Sequence, residues 1–357
     1  MGHLSRFNIN ISRSTLLRKL KFYGLSRRRG PISNDVYINV RRRIGEILDG
    51  PGSCGGYRTV WHTLRKEGFQ VPRQIVQNIL KDLDPLGIEA RKAHKLRRRL
   101  YKNPGPNYAW HIDGYDKLKP WGFPIHGCID GFSRKVMWLH VSRSNKSPDR
   151  IASMFLNAVQ QTHGAPKELV TDLGTENGIA AAAQAFFNDN ADSHRYVPST
   201  RNQRIESWWS YFSKTRTSWW RNFFKDLEFQ GIIDLTCDLN RQLLYYCFNT
   251  VIQSELDDIV EHWNTHYIRK SRHDCIAGRP DSIFYLPERF GGLDQKVQVD
   301  DGDIAYIRDN IVHEEEGNEY TEYFDYVMSK TNIVIPKNWM EALTTFERIL
   351  VISKNGE

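Results

Sequence analysis

Residues 107–141 read NYAWHIDGYDKLKPWGFPIHGCIDGFSRKVMWLHV and carry the pattern of three consecutive β-strands. Residues 108–114 alternate between apolar and polar side chains, and two further strand-like runs, 125–130 and 135–141, flank the turn at 131–134. Consecutive strands joined by short connections pair antiparallel. This stretch therefore predicts an antiparallel three-stranded unit at the centre of the fold.

Downstream of this unit, helices alternate with shorter strands. A helix is predicted to begin at Pro148, followed by a strand at 167–171, a helix at 179–187, a strand at 194–197 and a long helix from about Asn202. Strands separated by helices usually run parallel. The predicted fold class is α/β, with a mixed five-stranded sheet flanked by helices.

Composition excludes several classes of protein. The chain has 357 residues, which suits two or three domains, and 40% hydrophobic with 12% aromatic residues argues against wholesale disorder. It has no run of 18 apolar residues and no signal-peptide pattern at its start, so we expect a soluble intracellular protein without a membrane partner. Its five cysteines are scattered and form no C-x-x-C pair, which predicts reduced thiols rather than disulfides or a zinc site.

Charge is distributed unevenly along the chain. Residues 1–102 hold 23 Lys and Arg against 7 Asp and Glu, residues 103–292 hold 21 of each, and residues 293–357 hold 6 against 14. These regions define three predicted domains with net charges of +16, zero and −8. A region as basic as the first is typical of nucleic-acid binding, although a solvated charged surface is the alternative.

The basic region contains a predicted helix-turn-helix. Residues 55–68 and 71–83 each place apolar side chains at helical spacing, and a short turn containing Gly68 joins them. The second helix of such a motif usually enters the major groove of DNA. Its residues predicted to contact DNA are Arg73, Gln74 and Gln77. An ordinary helical hairpin would show the same pattern.

Two further basic sites are predicted to contact DNA. The run RKAHKLRRRLYK at 91–102 includes Arg97, Arg98 and Arg99 and precedes a Pro-Gly-Pro breaker, as expected of a linker that follows the phosphate backbone. Lys214 follows Glu206, one of three carboxylates described below, and could contact a DNA phosphate.

Three carboxylates occur in contexts that suit a common metal site. Asp113 and Asp172 each follow apolar strand residues, and Glu206 lies near the start of a helix. Strand ends of an open sheet are where such folds collect ligands. Three carboxylates could hold two divalent ions that activate a nucleophile and stabilise a leaving oxygen, and Mg²⁺ suits such a site. These residues are predicted to be both catalytic and metal-binding.

Other roles are open to these acids. Asp113 and Asp172 could be turn residues, and Glu206 could interact only with the helix dipole. Glu176 is a rival third carboxylate, and Asp116 and Asp130 lie near the first strands; Asp130 is expected to shape a turn. Four tryptophans at helical spacing are expected to be core residues rather than base-stacking ones: Trp208, Trp209, Trp219 and Trp220.

The segments WHIDGYDKL, CIDGFSRKVMWLHV, LVTDLGTENG and NQRIESWW together resemble the successive motifs of the integrase catalytic core, the DDE superfamily of integrases and transposases. The resemblance covers about residues 107–275, and the Gly-Tyr-Arg motif before it is similar to that of bacterial-type members. It implies a ribonuclease H-like fold in which Asp113, Asp172 and Glu206 are the catalytic acids.

The chain departs from the family pattern in places. The segment between Asp172 and Glu206 is slightly shorter than the family often has, and the retroviral His-His-Cys-Cys set is absent. Residues 293–357 alternate in IAYIRDNIV, YTEYFDYVM and TNIVIP, which predicts a small β-rich tail. Its acidity is opposite to the basic DNA-binding domain that ends retroviral integrases, and a protein contact is our hypothesis for it.

The resemblance implies metal-dependent DNA cleavage and strand transfer with two Mg²⁺ or Mn²⁺ ions. DNA is the expected partner, with a homo-oligomer because two element ends must be joined. The expected location is the nucleus in a eukaryote and otherwise the cytoplasm. One alternative is a catalytically inactive, transposase-derived DNA-binding protein. Another is a ribonuclease H-type nuclease, but that family adds a fourth carboxylate and lacks a helix-turn-helix.

Overall fold

A five-stranded sheet organises the fold in this computed structural model, which describes residues 11–24, 32–90, 103–198, 202–270, 276–311 and 319–355. Its strands are β1 (Ala109–Tyr115), β2 (Ile125–Asp130), β3 (Val136–Val141), β4 (Glu168–Thr171) and β5 (His194–Tyr196). They are ordered β3-β2-β1-β4-β5. The pairs β1–β2 and β2–β3 are antiparallel, whereas β1–β4 and β4–β5 are parallel, which confirms the predicted mixed sheet.

The helices of the described residues precede, flank and follow this sheet. In chain order they are α1 (Arg13–Phe22), α2 (Asn34–Leu48), α3 (Tyr57–Lys66), α4 (Arg73–Leu83), α5 (Pro85–Ala90), α6 (Pro148–Thr162), α7 (Gly178–Asn188), α8 (Gln203–Phe212), α9 (Ser218–Phe229), α10 (Asp238–Thr265), α11 (Pro280–Tyr285), α12 (Asp301–Asp309), α13 (Glu319–Thr331) and α14 (Trp339–Asn355). A π-helical segment, Ser213–Thr217, joins α8 to α9. None of these helices combines the length and apolar character needed to cross a membrane.

The N-terminal helices have a small hydrophobic core of their own. Val40 and Ile44 of α2 pack with Leu64 of α3 and with Val76 and Ile79 of α4, and all five are essentially inaccessible to solvent. This region also contacts the rest of the chain, because His62 of α3 lies against His262 of α10, with 3.0 Å between their Nδ1 atoms. The predicted pair of short amphipathic helices is therefore present as α3 and α4.

The two faces of the sheet belong to different hydrophobic clusters. Trp110 and Ile112 of β1 pack with Phe155 of α6 in a cluster that also includes α7 and α12. On the other face, Tyr115 joins a larger cluster with α8, α9 and α10, to which Phe248 of α10 belongs. The period-2 alternation of β1 produces this division, since successive side chains point to opposite faces.

The predicted β-rich tail is wrong, because residues 301–309, 319–331 and 339–355 are helical. Phe324, Val327 and Met328 are buried with α10 at spacings of three and four residues, which is the period of one helix face. Ile304 is likewise buried against α6 and α7. Short stretches in which tyrosine or isoleucine occurs between polar residues resemble the alternation of a strand, but the buried residues of this tail follow the helical period. Within the described part of the tail, strand-like pairing is limited to an isolated bridge between Val297 and Ala165.

Candidate active site

Asp113 lies within β1, two residues before the strand ends at Tyr115. Alternation buries Trp110 and Ile112 on one face and directs Asp113 to the face that α8 covers. The expectation that Asp113 ends its strand is therefore wrong: Gly114 and Tyr115 continue the pairing with β2. The carboxylate therefore projects from β1, which is the central strand of the sheet, and it is mostly buried.

The pairing of β1 with β4 brings Asp172 beside Asp113. His111 is the partner of Val170 in this parallel pair, and the same register, continued two positions along both segments, aligns Asp113 with Asp172. Asp172 is the first residue after β4. Neighbouring strands are about 4.8 Å apart, and paired positions face the same side of a sheet. The two aspartates therefore leave the sheet side by side.

Glu206 is brought to the aspartates by the way α8 is attached to β1. It lies in the first turn of α8, and Asn202, immediately before the helix, is completely buried. The Nδ2 atom of Asn202 donates to the carbonyl oxygen of Ile112 at 3.0 Å, and its Oδ1 accepts from Nδ1 of His111 at 2.7 Å. The start of α8, and with it Glu206, is thus tied to the strand that carries Asp113.

Neutral N–H groups bind both aspartates. Nε1 of Trp209 donates to Oδ2 of Asp113 at 2.9 Å, and Nδ2 of Asn177 donates to Oδ1 of Asp172 at 3.2 Å. Asn177 and Asn202 are both buried, with 2% and 0% of their surface exposed, so their side chains act within the protein.

The site is an unfavourable environment for ionised carboxylates. Burial raises the pKa of Asp113 to about 7, with the negative charges of Glu206 and Asp172 adding to the rise and the hydrogen bond from Trp209 opposing it. Burial and the charge of Asp172 also raise the pKa of Glu206, against the opposing charge of Lys117. The three acids therefore repel one another across a partly buried site, which a cation would relieve.

The donor set suits a hard divalent cation. Mg²⁺ and Mn²⁺ favour carboxylate oxygens, and the three acids of the site supply only such donors. As the side chains stand, no three His, Cys, Asp or Glu residues of the described chain are close enough to share one ion. The match between this site and a divalent cation is therefore supported by the carboxylate chemistry of Asp113, Asp172 and Glu206 and by their mutual repulsion.

The rival carboxylates have other partners. Oδ1 of Asp116 accepts from Asn145 at 2.7 Å, and its side chain is exposed. Asp130 is fully buried and accepts from the backbone N–H groups of Asn107 and Ser133, at 2.8 Å and 2.7 Å, so it shapes the turn after β2 as expected. Glu176 lies in a short 3₁₀ turn before α7.

The described residues that were predicted to contact DNA lie on α4 and on the segment after α8. Arg73 and Gln74 are exposed on α4 and Gln77 is half-buried there, while Lys214 is exposed on the π-helical segment after α8. The guanidinium of Arg73 stacks 4.2 Å above the ring of Trp61. Arg97, Arg98 and Arg99 lie outside the described residues.

Sequence reasoning missed two residues of the site, Trp209 and Asn202, as partners of β1. Trp209 is buried, as predicted for a core residue, yet its indole N–H also reaches Asp113. One signal was available: Asn202 and Trp209 flank Glu206 at spacings of four and three residues, so all three share one helix face.

Comparison with known proteins assigns the family. No curated protein matches the chain. A chain in a cryo-electron-microscopy structure of the simian T-cell lymphotropic virus intasome in complex with PP2A regulatory subunit B56 gamma is 16% identical, with 69% of this chain and 73% of that chain covered and a TM-score of 0.34. A family model described as Integrase core domain matches residues 100–284, which is more than half of the chain. The protein therefore belongs to the integrase core domain family.

Proposed function

We propose that this protein is a DDE-type DNA integrase or transposase with Asp113, Asp172 and Glu206 as its catalytic acids. The observation that carries the proposal is that these carboxylates, from β1, the end of β4 and the first turn of α8, lie close enough for their charges to repel one another. A fold alone does not define an activity, so this site within an integrase core, rather than the fold, supports the proposal. Water would cleave a DNA phosphodiester at an element end, and the freed 3′-hydroxyl would attack target DNA.

Asp113, Asp172 and Glu206 would hold two Mg²⁺ or Mn²⁺ ions. When bound, such ions activate the attacking oxygen and stabilise the leaving oxygen of an in-line displacement. The protein's contribution is positioning and charge, so no covalent nucleophile is required. The hydrogen bonds that Trp209 and Asn177 donate to the two aspartates come from neutral groups, which leave the negative charge of the site intact.

The remaining parts of the proposal concern DNA and assembly. The pair α3–α4 would act as a helix-turn-helix that presents Arg73, Gln74 and Gln77 to DNA, with the basic run at 91–102 along the phosphate backbone. Lys214 would contact a phosphate near the active site. Joining two element ends requires a homo-oligomer, and the protein would act where DNA lies, in the nucleus of a eukaryote or otherwise in the cytoplasm.

The experiment compares Asp113→Asn and Glu206→Gln with Asp116→Asn, which changes an exposed acid near the same strand. Nicking of supercoiled plasmid and strand transfer of oligonucleotides carrying the element ends are measured with Mg²⁺ and Mn²⁺. We expect both activities to fall to background in the first two variants and to persist in the third. Wild-type activity in Asp113→Asn or Glu206→Gln would overturn the assignment.

A second candidate function is a DNA-binding protein that has lost the chemistry. It is favoured by the observation that no three potential ligands of the described chain stand close enough to share an ion. Calorimetry separates the two functions: an active enzyme takes up Mn²⁺ and loses that uptake in Asp172→Ala, whereas a pure binder retains DNA affinity without metal uptake.

A further inference from the structure

We propose that Trp209 is a positioning residue of the active site, whose indole N–H holds the Asp113 carboxylate and couples it to the helix that carries Glu206. The proposal rests on the proposed function of that site and adds a residue to it. Its basis is the 2.9 Å hydrogen bond from Nε1 of Trp209 to Oδ2 of Asp113, formed across the interface between α8 and β1.

The indole is held firmly in the position that this bond needs. Only 5% of the Trp209 surface is exposed, and its ring lies 4.9 Å from that of Tyr115 and 5.9 Å from that of Phe212, measured between centroids. A buried indole N–H usually finds an acceptor, and here the acceptor is a carboxylate. The donor is thus part of the packed core, so Asp113 receives a rigid partner.

The sheet beneath the indole contains a glycine that makes room for it. Gly127 is the β2 partner of Asp113, and a Cβ atom there would lie 2.8 Å from Cη2 of Trp209. Such a contact is too short for two carbon atoms, so any side chain at this position would displace the ring. Gly127 therefore allows Trp209 to lie close enough to the sheet to reach Asp113.

A neutral donor suits a carboxylate that must bind a cation. A lysine or arginine in place of Trp209 would neutralise Asp113 and compete with a metal ion, whereas an indole N–H orients the carboxylate and leaves its charge available. Hydrogen-bonded partners of this kind commonly orient the carboxylates that ligate metals. Because Trp209 follows Glu206 by three residues, the same bond also sets the position of Glu206 relative to Asp113.

The chain supplies a matched control in the neighbouring residue. Trp208 is equally buried, with 3% of its surface exposed, and its ring stacks on Phe212 at 5.2 Å between centroids. Its Nε1 is buried and finds no acceptor within the described part of the chain. Trp208→Phe and Trp209→Phe therefore remove similar packing from the same helix, but only the second removes a donor to the active site.

The test measures Mn²⁺ binding by calorimetry and Mg²⁺-dependent plasmid nicking in the full-length variants. For Trp209→Phe we expect affinity or activity to fall by about 10- to 100-fold, the usual loss when a partner of a metal ligand is removed. Trp208→Phe should stay within about twofold of wild type. Gly127→Ala should repeat the Trp209→Phe defect, and adding Gly127→Ala to Trp209→Phe should cause little further loss. Equal effects of the two tryptophan variants would overturn the proposal.

A spectroscopic readout separates this inference from the proposed function. In ¹⁵N-labelled protein, the indole N–H resonance that disappears in Trp209→Phe should move in Asp113→Ala, while the one that disappears in Trp208→Phe should not. This result would support the positioning role even if the wild-type protein cleaves no DNA, in which case only the proposed function fails. An unmoved Trp209 resonance would overturn the inference regardless of activity.

Discussion

Asp113 occupies an environment that is unfavourable for an ionised carboxylate. It is mostly buried, and Glu206 and Asp172 add negative charge beside it, so that its pKa rises to about 7. An ionised carboxylate in such a position is costly for the folded protein. Strain of this kind is common at active sites, where removal of a functional group often stabilises the protein.

The first prediction concerns the pH dependence of this cost. The pKa of Asp113 is about 7 in the folded protein and about 3.9 for an aspartate in an unfolded chain. Between these values the folded state binds more protons, so stability falls as pH rises from about 4 to about 7. Asp113→Asn, which resembles the protonated acid, should therefore be more stable than wild type by about 1–3 kcal/mol at pH 8, and this difference should shrink to less than about 1 kcal/mol at pH 4.5.

Urea unfolding in metal-free buffer measures this difference, because a bound cation would stabilise the wild type and mask it. A stability difference that stays constant between pH 4.5 and pH 8 would contradict the account of Asp113.

The attachment of α8 to β1 determines the geometry of the site. Asn202 joins the two elements through the carbonyl of Ile112 and the ring of His111, and both bonds are buried. Burial lowers the pKa of His111 to about 4, so its imidazole is neutral and donates from Nδ1. The helix that carries Glu206 is therefore held at its start by Asn202 and one turn beyond Glu206 by Trp209.

The second prediction tests the contribution of Asn202. Asn202→Ala removes the buried hydrogen bonds to the carbonyl of Ile112 and to the ring of His111, which should cost about 2–4 kcal/mol of unfolding free energy. Nicking activity should also fall, while affinity for DNA should be retained. Ser207→Ala, an exposed position on the same helix, is the control and should change stability by less than about 0.5 kcal/mol. Similar stability losses in the two variants would count against the role of Asn202.

The third prediction concerns the contact between α3 and α10. His62 and His262 lie with their Nδ1 atoms 3.0 Å apart. Burial first, and then the charges of His266 and Lys66, lower the pKa of His62 to about 4. The unfolded chain, in which a histidine has a pKa of about 6.5, therefore takes up a proton that the folded protein resists.

Stability is accordingly lost as pH falls from about 6.5 towards 4 and is fully present above this window. Between pH 7.5 and pH 5, wild type should lose about 1 kcal/mol more unfolding free energy than His62→Gln. Denaturant unfolding at the two pH values measures this, and equal losses would show that the pair carries no such linkage.

Charge is unevenly distributed over the whole chain. Residues 1–102 carry +16, whereas residues 293–357 carry −8, and the helices of that acidic region pack against α6, α7 and α10. Attraction to a polyanion therefore belongs to the N-terminal region of the chain. Acidic helices in the C-terminal region would repel DNA from their own surface.

The fourth prediction measures this division through salt dependence. Replacing Arg97, Arg98 and Arg99 together with Gln should reduce the slope of log Kobs against log salt concentration by up to about 2.7, since each neutralised phosphate contributes about 0.9. Replacing Lys337 and Lys354 of the acidic region with Gln should leave the slope unchanged. Filter binding or fluorescence anisotropy at several salt concentrations provides the measurement, and equal slopes in all variants would exclude the basic run as a DNA contact.

The sheet and the order of the three acids could be predicted from local sequence patterns. Strand periodicity and short connections at 107–141 predicted the antiparallel unit, and helices between later strands predicted the parallel pairs. The antiparallel unit and the parallel pairs both depend on residues that are close in the sequence, so the local pattern was sufficient to predict them. The positions of Asp113 and Asp172 after apolar strand residues were also visible in the sequence. That the two acids lie side by side follows only from the register of β1 with β4.

The helical tail and the contact between Trp209 and Asp113 depend on tertiary packing. The tail residues around Phe324 are helical because packing against α10 selects a period of three to four residues, which short apolar runs do not distinguish from alternation. Trp209 is remote from Asp113 in the sequence, and it reaches that acid only because Gly127 of a third segment leaves space for its ring. Contacts of this kind depend on the shape of several packed elements at once, so the spacing of Trp209 from Glu206 indicates only a shared helix face and not the bond to Asp113.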